Sequence, residues 1–210
     1  VAFATYLDGL DSIGDAGQRF GRLDVSSLPP GARYLPDFIS RQEEAAFAAR
    51  LDGGAWSGEL KRRVQHFGYR YDYKARAVRA AALLGPLPDW LHPLAGRLAQ
   101  EGLFGAVPDQ VIANEYLPGQ GISAHVDCVP CFGAQIASLS LLSSCEMVFR
   151  HEGEVRALQL APRSLLLLTG PARYDWRHEI PARKSDPGVS GRRPRGRRLS
   201  LTFRKVLARP

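Results

Sequence analysis

Cysteine is scarce in this sequence, and long apolar runs are absent from it. Three cysteines among 210 residues, Cys128, Cys131 and Cys145, are too few and odd in number for a disulfide framework, so we expect a reducing, cytoplasmic setting. No run of 18 apolar residues is present, which argues against a membrane-spanning helix. The opening residues, VAFATYLDGLDSIGD, carry acids where a secretory signal needs a basic start. We therefore expect a soluble protein.

Positive charge is concentrated near the C-terminal end. The chain has 28 Lys and Arg against 21 Asp and Glu, a net charge of +7. From Arg183 to Lys205, nine basic residues stand against the single acid Asp186, so this stretch alone carries +8. Clustered Lys and Arg favour contact with phosphates, which predicts a nucleic acid partner. A solvated basic loop is the alternative.

Two segments have the pattern of helices. Ser40, with Glu43 three residues later, forms a capping-box pattern at the start of SRQEEAAFAARLDGG. PDWLHPLAGRLAQEG predicts a second helix that ends near Gly102. Residues 1–27 show no period and are interpreted as an irregular lead-in to a single domain over residues 28–210.

From Gln110 onward the sequence consists of short runs typical of strands. These are QVIANEYL, ASLSLLSS, EMVFRH, VRALQL, RSLLLLTG, RYDWRHEI and RLSLTFRKV, separated by turn residues such as PG, EGE, AP and GP. Closely spaced strands with no helix between them predict an antiparallel sandwich or barrel over about residues 110–207. The predicted fold class is therefore α+β and mainly β, with the helices packed beside a β core.

The segment NEYLPGQGISAHVD contains two possible metal ligands. Alternate side chains of an extended segment point the same way, so His125 and Asp127 can present an imidazole and a carboxylate to one point. With a third ligand, for which His178 on a later strand is the best candidate, they form the two-His-one-carboxylate set that binds Fe(II). The same set also suits zinc with an open position, so a hydrolase is an alternative.

Polar and apolar residues alternate in RLSLTFR, the last predicted strand. One face carries Arg198, Ser200, Thr202 and Arg204, and the other carries Leu199, Leu201 and Phe203. Buried guanidinium groups need an anionic partner, so we predict a short dicarboxylate between the two arginines. Asn114 and Tyr116 share a face of an earlier strand and add groups that suit a carboxylate or keto oxygen. An edge strand with its polar face in water is the alternative.

CVPC directly follows Asp127. The spacing of Cys128 and Cys131 is that of a redox or zinc pair. Zinc needs two further ligands at matching spacing, and a redox pair prefers a helix N-terminus. We interpret the pair as an incidental feature of a loop.

In their order along the chain, these motifs resemble those of the AlkB family of Fe(II)/2-oxoglutarate dioxygenases. They are NxY, HxD eleven residues after the Asn, a distal His in RYxWxH, and RxSxTFR. The resemblance extends upstream through LPPGARYL, RRVQHFGYRYDY and LPDWL, and it includes SLSL, MVF and APRSLLLLTGPARYDW. In these details the chain is most similar to the branch that contains the dioxygenase domain of the tRNA wobble-uridine hydroxylase.

The resemblance implies a jelly-roll (double-stranded β-helix) core that binds Fe(II), with 2-oxoglutarate and O₂ as cosubstrates. The implied iron ligands are His125, Asp127 and His178. The implied 2-oxoglutarate ligands are Arg198, Ser200 and Tyr116 at the distal carboxylate, and Asn114 and Arg204 nearer the other end. The implied reaction couples oxidative decarboxylation of 2-oxoglutarate to succinate with hydroxylation of a substrate C–H bond.

The resemblance also assigns a nucleotide-recognition lid to RRVQHFGYRYDY, within about residues 60–76. Its implied substrate-binding residues combine phosphate-binding side chains with rings that can contact a base: Arg62, Arg63, His66, Tyr69, Tyr71 and Tyr73. The basic segment SDPGVSGRRPRGRR would add phosphate contacts, and its Gly, Pro and Ser content predicts disorder until substrate binds.

Two reactions known in the family define the expected function. We predict oxidative demethylation of alkylated bases in DNA or RNA, with hydroxylation of a modified wobble uridine in tRNA as the alternative. A dioxygenase acting on protein or a small molecule, and a non-catalytic nucleic-acid-binding module, are further alternatives. Several DNA-repair members have an acid where this chain has Val129, and many members have Gly where it has Glu179. We expect a monomer that does not associate with membranes.

Overall fold

The computed structural model describes residues 28–188 and 190–207, so the predicted lead-in lies outside the described residues. Two antiparallel sheets face each other, and helices cover the outer face of the larger sheet. Within the described ranges, none of the helices combines the length and apolar character needed to span a bilayer. This architecture confirms the predicted fold class, mainly β with a jelly-roll core.

Six strands form the larger sheet, in the spatial order β1 (Ala32–Leu35), β8 (Leu165–Leu168), β5 (Phe132–Leu141), β12 (Arg198–Val206), β3 (Gln110–Tyr116) and β2 (Val64–Phe67). Four strands form the smaller sheet, in the order β4 (Ile122–His125), β9 (Arg177–Ile180), β6 (Cys145–His151) and β7 (Glu154–Leu160). A separate hairpin contains β10 (Ser185–Gly188) and β11 (Gly191–Pro194). The helices are α1 (Arg41–Asp52), α2 (His92–Gln100) and the short α3 (Gly170–Tyr174), with a 3₁₀ turn at Ala80–Ala82.

Helix α1 begins where its sequence predicts. The Ser40 hydroxyl accepts a hydrogen bond from the backbone N–H of Glu43 at 3.1 Å, and the Glu43 carboxylate accepts one from the backbone N–H of Ser40 at 2.7 Å. Both halves of the capping box are therefore formed. Helix α2 begins later than the predicted segment, at His92, because Pro93 is tolerated only in the first turn.

The segment RYDWRHEI was predicted to be a single strand, and this prediction was wrong for its first half. Helix α3 ends at Tyr174, and strand β9 starts only at Arg177. Pro171 lies at the start of α3, where its fixed φ favours a helical turn. The backbone N–H groups of Asp175 and Trp176 then donate to the Pro171 carbonyl, at 2.8 and 3.1 Å. The helical turn aims the following strand at the smaller sheet.

Alternation along β12 separates two hydrophobic cores. Its residues Leu199, Leu201 and Phe203 are fully buried against the helix-covered core. The opposite face of the larger sheet, with Phe132 and Tyr116, packs against the smaller sheet. The polar face of β12 is therefore inside the molecule, between the two sheets, as its sequence predicts.

The basic segment near the C-terminal end is ordered as the β10–β11 hairpin, so the prediction of disorder was wrong. Asp186 is 1% exposed and accepts hydrogen bonds from Arg183 at 2.8 Å and from Arg195 at 2.6 Å. Arg197 pairs with the buried Glu115 at 2.7 Å. Arg183, Arg195 and Arg197 are therefore paired with acids within the protein, and these pairs hold the segment to the sheets.

Candidate active site

A cavity of about 870 Å³ lies between the two sheets. Its wall includes every residue for which a metal or cosubstrate role was predicted: His125, Asp127, His178, Asn114, Tyr116, Arg198, Ser200 and Arg204. Three of the predicted substrate-binding residues, Arg62, Tyr71 and Tyr73, also line it. The fold thus brings the dispersed sequence motifs to one place.

His125 and His178 are cross-strand partners. The antiparallel pairing of β4 and β9 sets them opposite each other, and their ring centroids are 4.4 Å apart. Asp127 follows two residues after His125, and its Oδ2 atom lies 3.8 Å from Nε2 of His178. Two imidazoles and a carboxylate therefore meet in one corner of the cavity.

Both imidazoles have a nitrogen available to a metal. Nδ1 of His125 lies 2.8 Å from the Ser123 carbonyl, and because a carbonyl can only accept, this nitrogen carries a proton; in the neutral ring Nε2 then has the lone pair. Burial lowers the pKa of His178 to about 4, and electrostatic repulsion by the neighbouring His125 acts in the same direction. The His178 ring is therefore neutral at pH 7. Its Nδ1 atom is buried and has no hydrogen-bond partner among residues 28–188 and 190–207.

The Asp127 carboxylate is shared between Arg204 and His178. Its Oδ1 atom accepts hydrogen bonds from Nη2 and Nε of Arg204, at 2.8 and 3.2 Å. Burial by itself would raise the pKa of Asp127, but Arg204 and the two histidines hold it well below its usual range. Arg204 thus has a counter-ion within the protein, so any contact it makes with a cosubstrate would be shared with Asp127.

The donor set fits Fe(II) in kind, because two neutral imidazoles and one carboxylate are the ligands of the facial triad. Within residues 28–188 and 190–207, no three His, Cys, Asp or Glu side chains already point at one ion position. Oδ2 of Asp127 and Nε2 of His178 are 3.8 Å apart. These two side chains and His125 would hold the ion once they move together around it.

Arg198 is a buried cation that lacks a carboxylate partner among the described residues. It is 2% exposed, and its Nη2 atom donates to the Ser140 hydroxyl at 2.8 Å. Its Nε and Nη1 atoms are buried with no hydrogen-bond partner in the described ranges. Strand pairing sets Arg198 opposite Tyr116, and Ser200 opposite Asn114. A buried guanidinium with two unused donors, beside these polar groups, fits a carboxylate ligand.

Two lid tyrosines face the same cavity. Tyr71 and Tyr73 pack edge to face, with ring centroids 5.1 Å apart and an interplanar angle of 80°. Burial raises the pKa of Tyr73 to about 12, so its phenol stays protonated at neutral pH. The two rings give the cavity an aromatic wall next to its polar floor.

Three other predicted substrate-binding residues do not line the cavity: Arg63, His66 and Tyr69. Tyr69 packs against the core between the sheets. Arg63 donates two hydrogen bonds to the buried Glu115, at 2.6 and 2.8 Å. Arg63 is therefore already paired within the protein, and its role in holding a phosphate stays a prediction.

His66 supports the lid from behind its tyrosines. Its Nδ1 atom accepts from the backbone N–H of Tyr71 at 3.3 Å, so Nε2 carries the proton and donates to the Tyr73 hydroxyl at 3.2 Å. Burial lowers the pKa of His66 to about 4. The folded lid therefore keeps this ring neutral down to mildly acidic pH.

This neutral His66 predicts a pH-dependent loss of stability. Between pH 6.5 and about 4 the unfolded chain binds a proton at His66 and the folded chain does not. The contribution of His66 to the free energy of unfolding is therefore complete above pH 6.5, and it declines as the pH falls. Urea unfolding should show that the free energy of unfolding falls more between pH 7 and pH 5 for the wild type than for His66→Asn. The Asn side chain keeps a hydrogen-bond acceptor but does not titrate. Equal losses would contradict a neutral His66.

The sequence interpretation missed Arg173, which supports the turn after Asp127. It is 2% exposed, and its Nη1 atom donates to the Asp127 carbonyl at 2.9 Å. Further bonds reach the carbonyls of Cys128 and Gly133, both at 3.3 Å. A single arginine in GPARYDW was the available signal, but its partners lie about 40 or more positions away in sequence.

Cys128 and Cys131 are joined by a disulfide, with their Cα atoms 5.2 Å apart. The backbone N–H groups of Cys131 and Phe132 both donate to the Cys128 carbonyl at 3.2 Å. The pair therefore cross-links the turn directly behind Asp127, which corrects its interpretation as an incidental loop feature. Cys145 is free and buried.

The structure accounts for one of the two departures from the family pattern. Glu179 accepts a hydrogen bond at 2.9 Å from Arg150 on the neighbouring strand β6, so it forms an ion pair between strands of the smaller sheet. Val129 is 47% exposed and does not line the cavity.

Known proteins match both the sequence and the fold. Residues 54–204 match the family model of the 2OG-Fe(II) oxygenase superfamily. An alkylated DNA repair protein ALKBH8 homolog from Arabidopsis thaliana is 39% identical over 86% of this chain and 60% of its own length. The mouse tRNA (carboxymethyluridine(34)-5-O)-methyltransferase ALKBH8 is 35% identical over 97% of this chain and 36% of its own length. The chain thus spans less than two thirds of these two relatives.

A shorter relative is covered more fully. The mitochondrial alpha-ketoglutarate-dependent dioxygenase alkB homolog 7 from Bos taurus is 34% identical over 89% of this chain and 83% of its own length. The structure of OsALKBH1 has the same fold, with a TM-score of 0.65 at 19% identity over 85% of this chain and 98% of the other. The chain therefore belongs to the AlkB homologues within the 2OG-Fe(II) oxygenase superfamily, and it is a dioxygenase domain that uses Fe(II), 2-oxoglutarate and O₂.

Proposed function

We propose that this domain oxidatively demethylates alkylated bases in DNA or RNA. The observation that carries the proposal is Arg198, a buried cation with no carboxylate partner among the described residues, in the same cavity as His125, Asp127 and His178. A hydrolase would need the three ligands but not a buried cation prepared for a dicarboxylate, so the zinc alternative is disfavoured.

Each predicted residue has a role that its contacts support. The iron would be held by His125, Asp127 and His178, and with the metal bound the site would couple O₂ activation to decarboxylation of 2-oxoglutarate. The distal carboxylate would bind Arg198, Tyr116 and Ser200, and the other end would lie near Asn114 and Arg204. Arg204 keeps Asp127 deprotonated and fixes its orientation, since it already bonds Oδ1.

The cavity wall supports an anionic substrate. Among the lining residues that the structure describes, Asp127 is the only acid, and Arg204 neutralises it. Besides Arg62, Arg198 and Arg204, three further basic residues line the wall: Lys61, Arg76 and Arg177. Such a positive field attracts a polyanion, and the rings of Tyr71 and Tyr73 can contact a base that has left its stack.

Hydroxylation of a modified uridine in tRNA is the second candidate. Val129 counts against efficient repair of methylated adenine or cytosine, because several repair members have at this position an acid that helps to read the amino group of those bases. The relation to mouse ALKBH8, whose name specifies a tRNA uridine methyltransferase, points the same way. Both candidates place a nucleobase in the same cavity.

One experiment separates the two candidates. Protein loaded anaerobically with Fe(II) and 2-oxoglutarate is exposed to air with methylated DNA, methylated RNA or bulk tRNA, and succinate and formaldehyde are measured. Demethylation gives both products, because a methyl group on a ring nitrogen is released as formaldehyde once it is hydroxylated. Hydroxylation of a substituent that is bonded to a ring carbon gives succinate without formaldehyde. Succinate at the substrate-free level with all three nucleic acids would refute the proposed function.

The hairpin makes a separate prediction about binding. Lys184 and Arg192 are exposed, and neither forms an ion pair with a described residue, unlike Arg183, Arg195 and Arg197. If both contact phosphates, the double variant Lys184→Gln/Arg192→Gln should reduce the slope of log Kd against log salt by about 1.4 to 1.8.

The matched control is Arg41→Gln/Arg50→Gln, which removes two exposed charges from α1, a helix on the face of the larger sheet away from the cavity. Salt titration by fluorescence anisotropy with a labelled oligonucleotide measures the slope. An unchanged slope in the hairpin variant, or the same change in the α1 variant, would rule out the hairpin as a phosphate contact.

A further inference from the structure

Arg62 was predicted to hold a phosphate, yet it reaches the cosubstrate end of the cavity. Its Nε atom donates to Oδ1 of Asn114 at 2.9 Å. Its guanidinium carbon lies 5.9 Å from the ring centroid of Tyr116, and that of Arg198 lies 5.3 Å from the same ring. Two positive charges therefore neighbour one phenol ring, at the place where a carboxylate is expected.

An ion pair formed by the next residue, Arg63, holds the backbone beside Arg62 in place. Arg63 donates two hydrogen bonds to Glu115, which is 2% exposed and also pairs with Arg197. The backbone N–H of Glu115 donates to the Arg63 carbonyl at 3.0 Å. These bonds of Arg63 fix the backbone next to Arg62, whose side chain lies in the cavity wall.

The contact with Arg62 determines which end of the Asn114 amide is free. A guanidinium has only donors, so it must face the amide oxygen. The NH₂ group of Asn114 then turns away, and within the described part of the chain its one bond is a 3.5 Å contact with the Ile112 carbonyl, at the limit of hydrogen-bonding distance. This NH₂ group is therefore ready to donate to another acceptor.

We propose that Arg62 is a positioning residue for 2-oxoglutarate, which orients the Asn114 amide so that its NH₂ group donates to a cosubstrate oxygen. The proposal rests on the proposed use of this cavity for 2-oxoglutarate, and it replaces the phosphate-binding role predicted for Arg62. Arg63 in the lid bonds to Glu115 on β3, the neighbour of Asn114, so the lid is held directly to the strand that forms part of the cosubstrate pocket.

The test compares Arg62→Met, Arg62→Lys and wild type for two separate affinities. Kd for 2-oxoglutarate is measured by calorimetry under nitrogen with Mn(II) in place of Fe(II), and Kd for a labelled oligonucleotide is measured by anisotropy. Arg62→Met should weaken 2-oxoglutarate about tenfold to hundredfold, as expected for a lost charge-assisted hydrogen bond, and change oligonucleotide binding less than about twofold. Arg62→Lys should restore part of the affinity, because an ammonium group still donates.

Arg70→Met is the matched control, since Arg70 lies in the same lid but is paired with Glu59 at the surface, with its side chain 61% exposed. It should bind 2-oxoglutarate like the wild type. The melting temperature of each variant checks that it is folded. A positioning role also requires coupling: in an Asn114→Ala background, Arg62→Met should have little further effect on the 2-oxoglutarate Kd.

Three outcomes would overturn the proposal. Weaker oligonucleotide binding with an unchanged 2-oxoglutarate Kd would make Arg62 a phosphate ligand. Full additivity with Asn114→Ala would mean that Arg62 does not act through that amide. A wild type that binds no 2-oxoglutarate would refute the proposed function itself, which separates that failure from a failure specific to Arg62.

Discussion

Replacing Arg198 by methionine should weaken 2-oxoglutarate binding at least about a hundredfold without destabilising the metal-free protein. The residue is 2% exposed, and its Nε and Nη1 atoms have no hydrogen-bond partner in the part of the chain that the structure describes. Losing one member of a buried carboxylate–guanidinium pair costs about 3–5 kcal/mol, which corresponds to more than two orders of magnitude in Kd. Methionine retains most of the volume, so the cavity wall keeps its packing.

The stability of this variant is as informative as its affinity. Without ligand, Arg198 is a desolvated charge whose contacts among the described residues are with the Ser140 hydroxyl and the ring of Tyr116. Removing that charge relieves its desolvation penalty, so the free energy of unfolding should be unchanged or higher. Added 2-oxoglutarate with Mn(II) should raise the melting temperature of the wild type but not of the variant.

Arg192→Met is the control for Arg198→Met, because Arg192 is an exposed residue of the hairpin. Calorimetric titration and thermal melts of both variants measure the two effects. Retained 2-oxoglutarate binding in Arg198→Met would place the cosubstrate elsewhere. A large loss of stability without ligand would show that Arg198 is primarily a structural residue.

Replacing His178 by alanine should reduce turnover by more than about a hundredfold and remove tight metal binding. His178 is buried, neutral at pH 7 and adjacent to both His125 and Asp127. Changes to groups that merely support a metal ligand usually cost 10- to 100-fold, so the loss of a ligand itself should exceed that range.

Direct metal binding separates this effect from misfolding. Titration of the metal-free protein with Mn(II), followed by electron paramagnetic resonance of the free ion, should show a tight site in the wild type and none in His178→Ala. His92→Ala, at the exposed start of α2, should behave as wild type. Undiminished Mn(II) affinity in His178→Ala would assign the metal to other ligands.

The features that could be predicted are those that depend on residues close together in the chain. The capping box of Ser40 and Glu43 needs only one helical turn, and it is formed as expected. The alternation of RLSLTFR depends on the two-residue period of a strand, which directs Arg198 to one face and Leu199 to the other whatever the partner strands are. Local geometry therefore sufficed to identify the polar face.

The charged network could not be predicted in the same way. Arg204 pairs with Asp127, 77 positions away, and Arg63 pairs with Glu115, 52 positions away. Any of the 28 basic residues could in principle form an ion pair with any of the 21 acids, because composition does not determine which charges the folded chain brings together. The basic C-terminal segment was therefore interpreted as free positive charge, although Asp186 and Glu115 pair with three of its arginines.

The sequence was sufficient for the β architecture, the helix start and the set of side chains that the cavity contains, since each follows from local periodicity or from ordered motifs. Only the tertiary structure decided how those side chains are used. Strand register brought His125 opposite His178, burial left Arg198 without a counter-ion among the described residues, and the Glu115 ion pair fixed the backbone beside Arg62, which bonds to Asn114. Each of these outcomes depends on pairings between distant strands, where a shift of one residue reverses the face that a side chain occupies.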